Sequence, residues 1–201
     1  MTKGVFSEFE ITEQHIKIGN SENYEDMNCV GSSEEEVEVK VITKKCRGVV
    51  AKEKVKGTGN GSLKMSLHMP YAIYTKLFGM EKEGLVKGVY AYGQGSVHPE
   101  FSLTQRVIDE DDAVMLKAYP RCIMETNPTI KIENGAEEVA EVEITAKLLP
   151  DDTGMCKYEA LEIELEDEVK TSWLTAFTPD LVKATASESK SAEGESAEGT
   201  I

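Results

Sequence analysis

Apolar and polar residues alternate with a period of two along most of this chain, and no other feature limits its fold so tightly. Val37, Val39 and Val41 alternate with Glu38, Lys40 and Ile42. Leu63, Met65, Leu67 and Met69 alternate with Ser62, Lys64, Ser66 and His68. The same spacing carries Phe101, Leu103, Gln105 and Val107, and then Val114, Leu116 and Ala118. It returns in Val142, Ile144, Ala146 and Leu148, set against Glu141, Glu143, Thr145 and Lys147, and in Leu161, Ile163 and Leu165. Successive side chains of a strand point to opposite faces, so each run predicts a half-buried β-strand.

Turn chemistry separates these runs. Asp109–Asp112 and Asn134-Gly135 are turn sequences, and Pro150-Asp151-Asp152-Thr153-Gly154 is expected to join two long strands as a hairpin. About eight to ten strands at short spacing predict a mainly β sandwich or barrel. One flanking helix is expected between Pro70 and Gly79, with Ile73, Tyr74, Leu77 and Phe78 on its inner face. A short helical turn is expected around Trp173, Leu174 and Phe177. Glu38–Ser62 is expected to form an extended loop or hairpin.

The chain has 201 residues, enough for one sizeable β domain, placed at 1–182. Beyond it, Ala184–Gly199 holds only Ala, Ser, Thr, Glu, Lys and Gly, so 183–201 is expected to be a disordered tail. The N-terminus lacks the apolar block of a signal peptide, which predicts synthesis in a cytoplasm. No apolar run approaches the roughly 20 residues that span a bilayer. Cys29, Cys46, Cys122 and Cys156 are scattered and are expected to be reduced thiols.

No catalytic constellation emerges. Asp152-Thr153-Gly154 spells an aspartic-protease triplet, yet that chemistry needs two such aspartates sharing a proton, and a turn explains the segment. Gly57-Thr58-Gly59-Asn60-Gly61 precedes a strand rather than a helix N-terminus, so it predicts a flexible loop and not a phosphate cradle. His15, His68 and His98 have no partners at metal or triad spacing. No enzyme, cofactor or metal is expected.

One charge asymmetry needs an account. Seven acids and no base lie between Gly19 and Glu38; seven bases and one acid, Glu53, lie between Lys40 and Lys56. A hairpin whose arms neutralise each other would explain it, at little gain in stability. Complementary patches that join copies head to tail are a second explanation. Lysines facing DNA are a third, disfavoured by a net charge of −15. The candidate intersubunit residues are Glu34, Glu35, Glu36, Lys44, Lys45, Arg47, Lys52, Lys54, Lys56, Gly57 and Gly59.

Many short pieces, in order, resemble the major tail proteins of siphophages that infect Gram-positive bacteria. They include Gly57-Thr58-Gly59, Met69-Pro70-Tyr71, Leu77-Phe78-Gly79-Met80 and Ala91-Tyr92-Gly93. Pro99–Leu103, Leu116–Cys122, Ile132–Glu138, Pro150-Asp151, Lys157–Ala160 and Trp173 to Phe177 continue the series, which covers about Thr2 to Pro179. The resemblance implies a tail-tube-type β-sandwich or barrel in the virion. Six copies of such proteins typically close into a ring, and rings stack into a tube. The implied partners are further copies of the chain, the tape-measure protein, and the tail terminator and distal tail or baseplate proteins. Double-stranded DNA would cross the lumen without specific binding, past a wall expected to be acidic. The alternative is another phage or surface β-sandwich that serves as a binding or decoration module.

Overall fold

The computed structural model describes residues 6–135, 137 and 139–184. The expected tail from 185 onward lies outside the described residues. Eight strands form one antiparallel sheet: β1 (Glu10–Ile18), β2 (Glu25–Asp26), β3 (Val30–Cys46), β4 (Val49–Leu67), β5 (Glu100–Ile108), β6 (Val114–Met124), β7 (Val142–Leu148) and β8 (Tyr158–Leu161). Their order is β2-β1-β5-β6-β7-β4-β3, and β8 also pairs with β6. The fold is mainly β, as the alternation predicts.

The sheet folds over on itself. One core joins Ile16 of β1, Leu63 and Leu67 of β4, Phe101 and Leu103 of β5, Tyr119 and Cys122 of β6, and Ile144 and Leu148 of β7. Leu63, Leu67, Phe101, Leu103, Ile144 and Leu148 are members of the alternating runs, whereas Leu116 and Ala118 of the β6 run are buried on the other side. Helix α1 (Tyr71–Leu77) closes this core with Ile73, Leu77 and Phe78. It starts after Pro70 and ends at Gly79, whose φ of +58° permits the reversal. A Cβ at Gly79 would lie within 3 Å of the Val97 backbone, so the chain can turn here only with glycine.

A second helix is longer than the short turn expected around Trp173. Helix α2 (Asp167–Ala176) covers the opposite face of β5 and β6, packing Trp173 and Phe177 on Leu116 and Ala118. Its weak amphipathicity hides it in the sequence, because a single large anchor, Trp173, does most of the burying. The Thr104 hydroxyl donates to the Leu174 carbonyl at 2.7 Å and ties the helix to β5.

The Pro150–Gly154 turn is not the hairpin expected. Both β7 and β8 run antiparallel to β6, at Cys122–Met124 and Met115–Ala118 respectively, so they follow one another in the same direction. The turn is a jog between two pieces of one course. Asp151 holds it: its Oδ1 accepts the N–H groups of Thr153 and Met155, and its Oδ2 accepts the Tyr158 hydroxyl. Burial pushes the Asp151 carboxyl up, but these donors outweigh it and hold it below its ordinary range. Asp152-Thr153-Gly154 is therefore part of a turn organised by its neighbour.

Candidate functional site

The longest strands leave the body of the protein. β3 and β4 pair from Val30↔Leu67 to Cys46↔Val49, but β4 pairs with β7 only over Gly61–Leu67. Beyond Gly61 the two strands continue as a free ribbon, about 30 Å long at the usual rise per residue. Every residue described from 36 to 58, with Ala51 set aside, is exposed. The ribbon ends in a two-residue turn at Arg47 (φ +49°) and Gly48 (φ +83°), both left-handed as a tight hairpin requires. An isolated two-stranded hairpin is marginally stable in water.

Gly57–Gly61 is not the flexible loop expected. It belongs to β4, and it bends the ribbon where it leaves the sheet. Val37 pairs with Gly61 and Val39 with Gly57, so Glu38 faces three residues, Thr58, Gly59 and Asn60. Such a bulge kinks a strand and re-aims the residues beyond it. The Thr58 hydroxyl donates to the Glu38 carbonyl at 3.3 Å, and the Asn60 N–H donates to the Thr58 Oγ1. Gly59 has φ +79°, and a Cβ there would lie 2.7 Å from the Gly154 carbonyl oxygen and 3.3 Å from Pro150 Cβ. The ribbon thus crosses directly over the Pro150–Gly154 jog, and glycine is needed for both conformation and clearance. Gly59 is engaged within its own chain, while Gly57 is exposed.

The arms of the hairpin do not neutralise each other. Because the turn lies at Arg47-Gly48, all the bases of the basic run fall on the distal ribbon, on both arms. Lys40 stands opposite Lys56, Ile42 opposite Lys54, and Lys44 opposite Lys52. Like charges directly opposite destabilise a β pair. The acids Glu34 and Glu36 stay at the root, opposite Lys64 and Ser62, and only Glu34 finds a cation across the pair, Lys64 at 3.5 Å. The ribbon is polarised along its length.

It is also two-faced. Residues directly opposite share a face, so Lys40, Lys44, Lys52, Lys54 and Lys56 line one side around Ile42. Val39, Val41 and Val55 line the other, with Val41 opposite Val55 and all three more than half exposed. Lys45 lies on that apolar face opposite Val50, and Arg47 sits in the turn itself. Alternation is kept here, as in the core strands, yet within the chain nothing described covers either face.

Glu35 departs from its neighbours. It points inward, with its side chain 14% exposed, and Lys157 Nζ lies 2.7 Å from it. The Tyr119 hydroxyl donates to it at 2.8 Å, and Lys117 Nζ lies 3.4 Å away. Lys117 also meets Glu8 at 2.6 Å, and Lys157 meets Glu159 at 2.8 Å. Burial pushes the Glu35 carboxyl up, but Lys157, Tyr119 and Lys117 outweigh it and lower its pKa. Burial, and then the charge of Glu35, push the Tyr119 phenol well above its ordinary range. Glu35 is thus an internal anchor that pins the ribbon's root to β6, not an outward contact. A cavity of about 380 Å³ beside it is lined by Glu8, Phe9, Val30, Lys117 and Tyr119. Glu8 and Glu35 there are paired with Lys117. Among the described residues, no group of three His, Cys, Asp or Glu side chains could hold a metal ion, and no helix is long and apolar enough to cross a membrane.

No protein-family model and no curated protein matches the sequence. Among solved structures, the chain is similar to a chain in the cryo-EM structure of the anti-feeding prophage baseplate, at 10% identity and a TM-score of 0.38, over 82% of this chain and 100% of that one. It is also similar to a chain in the structure of the cap that terminates the anti-feeding prophage tube, at 11% identity and a TM-score of 0.38, over 79% of this chain and 96% of that one. At these values the likeness fixes neither fold nor function.

Sequence reasoning finds the segment but not its form. Glu34–Glu36 of the acidic run fall at the root of one projection and the basic run on both arms of its free part, while Glu25 and Asp26 pair with β1. Arg47-Gly48, flanked by Val41 and Val55, is the signal that locates the turn.

Proposed function

We propose that the chain is a non-enzymatic structural subunit of a long-tailed bacteriophage that joins copies of itself into the tail tube. The observation that carries this reading is the ribbon: a two-stranded arm, exposed on both faces, projecting from a well-packed body. Exposed strand edges are templates for pairing with another chain. A marginal hairpin that keeps like charges opposite each other gains most when a neighbour covers it. The ordered pieces of sequence resembling major tail proteins give the assembly its proposed identity, with rings of (by that resemblance) six copies stacked around the tape-measure protein. The tail terminator and the distal tail or baseplate proteins would cap the ends. Double-stranded DNA would pass through without specific contacts, which suits a chain of net charge −15.

The test is sedimentation and negative-stain electron microscopy of the purified full chain across a wide concentration range. Rings or hollow tubes are the expected result. A species that remains monomeric at every concentration and salt would refute self-assembly.

A further inference from the structure

The ribbon's lysine face has no partner among the described residues of its own chain, and the body of the same molecule carries a surface that fits it. Glu10 pairs with Ile108, Ile108 with Val114, and Met115 with Leu161, so three segments share one end of the sheet: the start of β1, the Asp109–Asp112 turn and the 3-10 turn Glu162–Glu164. Glu10, Glu110, Asp111, Asp112 and Glu164 are exposed there, and among the described residues none has a cation within 4 Å. Asp109 is used internally, accepting the N–H groups of Asp111 and Ala113, which holds the other carboxylates of the turn outward. Two large apolar side chains stand among them: Phe9, 75% exposed, and Ile163, 71% exposed.

We infer that the ribbon of one copy docks on this acidic end of a second copy, lysine face to carboxylates, with Phe9 and Ile163 meeting Ile42 in the middle of that face. The inference rests on the self-assembly reading and names the two surfaces that meet. Both charge and apolar character match. Lysines on a bare strand edge also discourage indiscriminate pairing, so only a surface bringing carboxylates can cover this one. Duplex DNA would satisfy the lysines but offer Ile42 no apolar partner, whereas Phe9 and Ile163 offer one. The contact joins two different patches, hence it is heterologous, and repetition gives closed rings or open filaments.

Two exposed-surface variants test it. The first replaces Lys44, Lys52 and Lys54 with Glu. The second replaces Glu110, Asp111 and Glu164 with Lys, leaving Asp112 alone because its φ is +61°. The first moves the net charge from −15 to −15 − 6 = −21, and the second to −15 + 6 = −9. If general repulsion governs assembly, the second variant assembles better than wild type. If the two surfaces pair, each variant alone loses at least about tenfold in sedimentable material, and an equimolar mixture recovers it. In the mixture every ribbon meets an opposite end. Emission from the single tryptophan, Trp173, checks that both variants are folded. Either variant assembling unaided, or a mixture no better than its parts, overturns the pairing and leaves self-assembly intact. Wild type that never assembles overturns both. Wild type that binds a 30-base-pair duplex through the ribbon, while the first variant still forms tubes, assigns the lysines to nucleic acid and overturns the pairing.

Discussion

Lys157 and Glu35 meet at 2.7 Å where the projecting ribbon joins the body, so the root of the arm is fastened by a charge pair largely withdrawn from water. A second lysine and a phenol share the same carboxylate, and each lysine has a further carboxylate of its own. This satisfied network lets a long arm project from a fixed base. Burying one such charge without its partners would be costly.

Glu35→Gln is therefore expected to destabilise the fold by about 1–3 kcal/mol at neutral pH, as a charged acceptor is lost among buried donors. The Glu35 pKa is lower in the folded chain than its ordinary 4.5. Its stabilisation is then fully present above that ordinary value and fades as pH falls through the lower, folded one. Urea unfolding from pH 7 into the acid range should show the gap between wild type and variant closing below about 4.5. A gap that is constant with pH would assign the effect to packing alone.

Removing the ribbon should leave the body intact. Replacing Glu38–Asn60 with Asn-Gly closes the Val37–Gly61 pair by a two-residue turn and deletes no core side chain. The expected melting temperature lies within about 4 °C of wild type, the equivalent of ~1 kcal/mol in a chain this size. Sedimentation should show monomer only. Normal tubes from this deletion would show that the arm is dispensable.

How far the sequence reveals this molecule depends on whether a feature is local. The alternation of Leu63 to Leu67 or of Ile144 to Leu148 is local, and those strands stand where expected. So does α1, because Pro70 and Gly79 mark its ends. Glu35 could not be singled out, since Lys117 and Lys157 lie more than 80 residues away and only the fold brings them together. The Pro150–Gly154 turn reads as a hairpin because its residues suit one; that β7 and β8 share β6 as partner is a property of the sheet. The ribbon's polarity hinges on one turn. An acidic run followed by a basic run suggests arms that neutralise each other only if the reversal lies between them, near residue 39. It lies instead at Arg47-Gly48, inside the basic run.

Gly48 and Gly59 allow conformation to be separated from clearance. Both have positive φ, +83° and +79°, but a Cβ at Gly48 meets nothing within 4 Å, whereas one at Gly59 strikes the Gly154 carbonyl. Gly48→Ala should cost only the left-handed penalty, roughly 1–2 kcal/mol, confined to the tip. Gly59→Ala carries a similar penalty and must also shift the ribbon off the jog. Hydrogen exchange should show loosening near Pro150–Gly154 in the second variant alone, and tubes should be lost there first. Equal behaviour of the two would mean that the crossing does not aim the arm.

Salt should act in two opposing ways. Copies of net charge −15 repel at long range, and that repulsion is screened once the Debye length falls to about 10 Å, near 0.1 M. The purified chain is therefore expected to assemble more readily as salt rises from very low values, as charge alone suggests. Contacts between the ribbon lysines and facing carboxylates are short, and they weaken only when screening reaches about 3 Å, near 1 M. Sedimentable material should pass through a maximum between these limits. The Lys44, Lys52 and Lys54 charge-reversal variant has lost the attractive part, so any residual assembly should rise with salt throughout. A wild-type curve that only rises would mean that general repulsion governs assembly; one that only falls would mean that attraction dominates from the start.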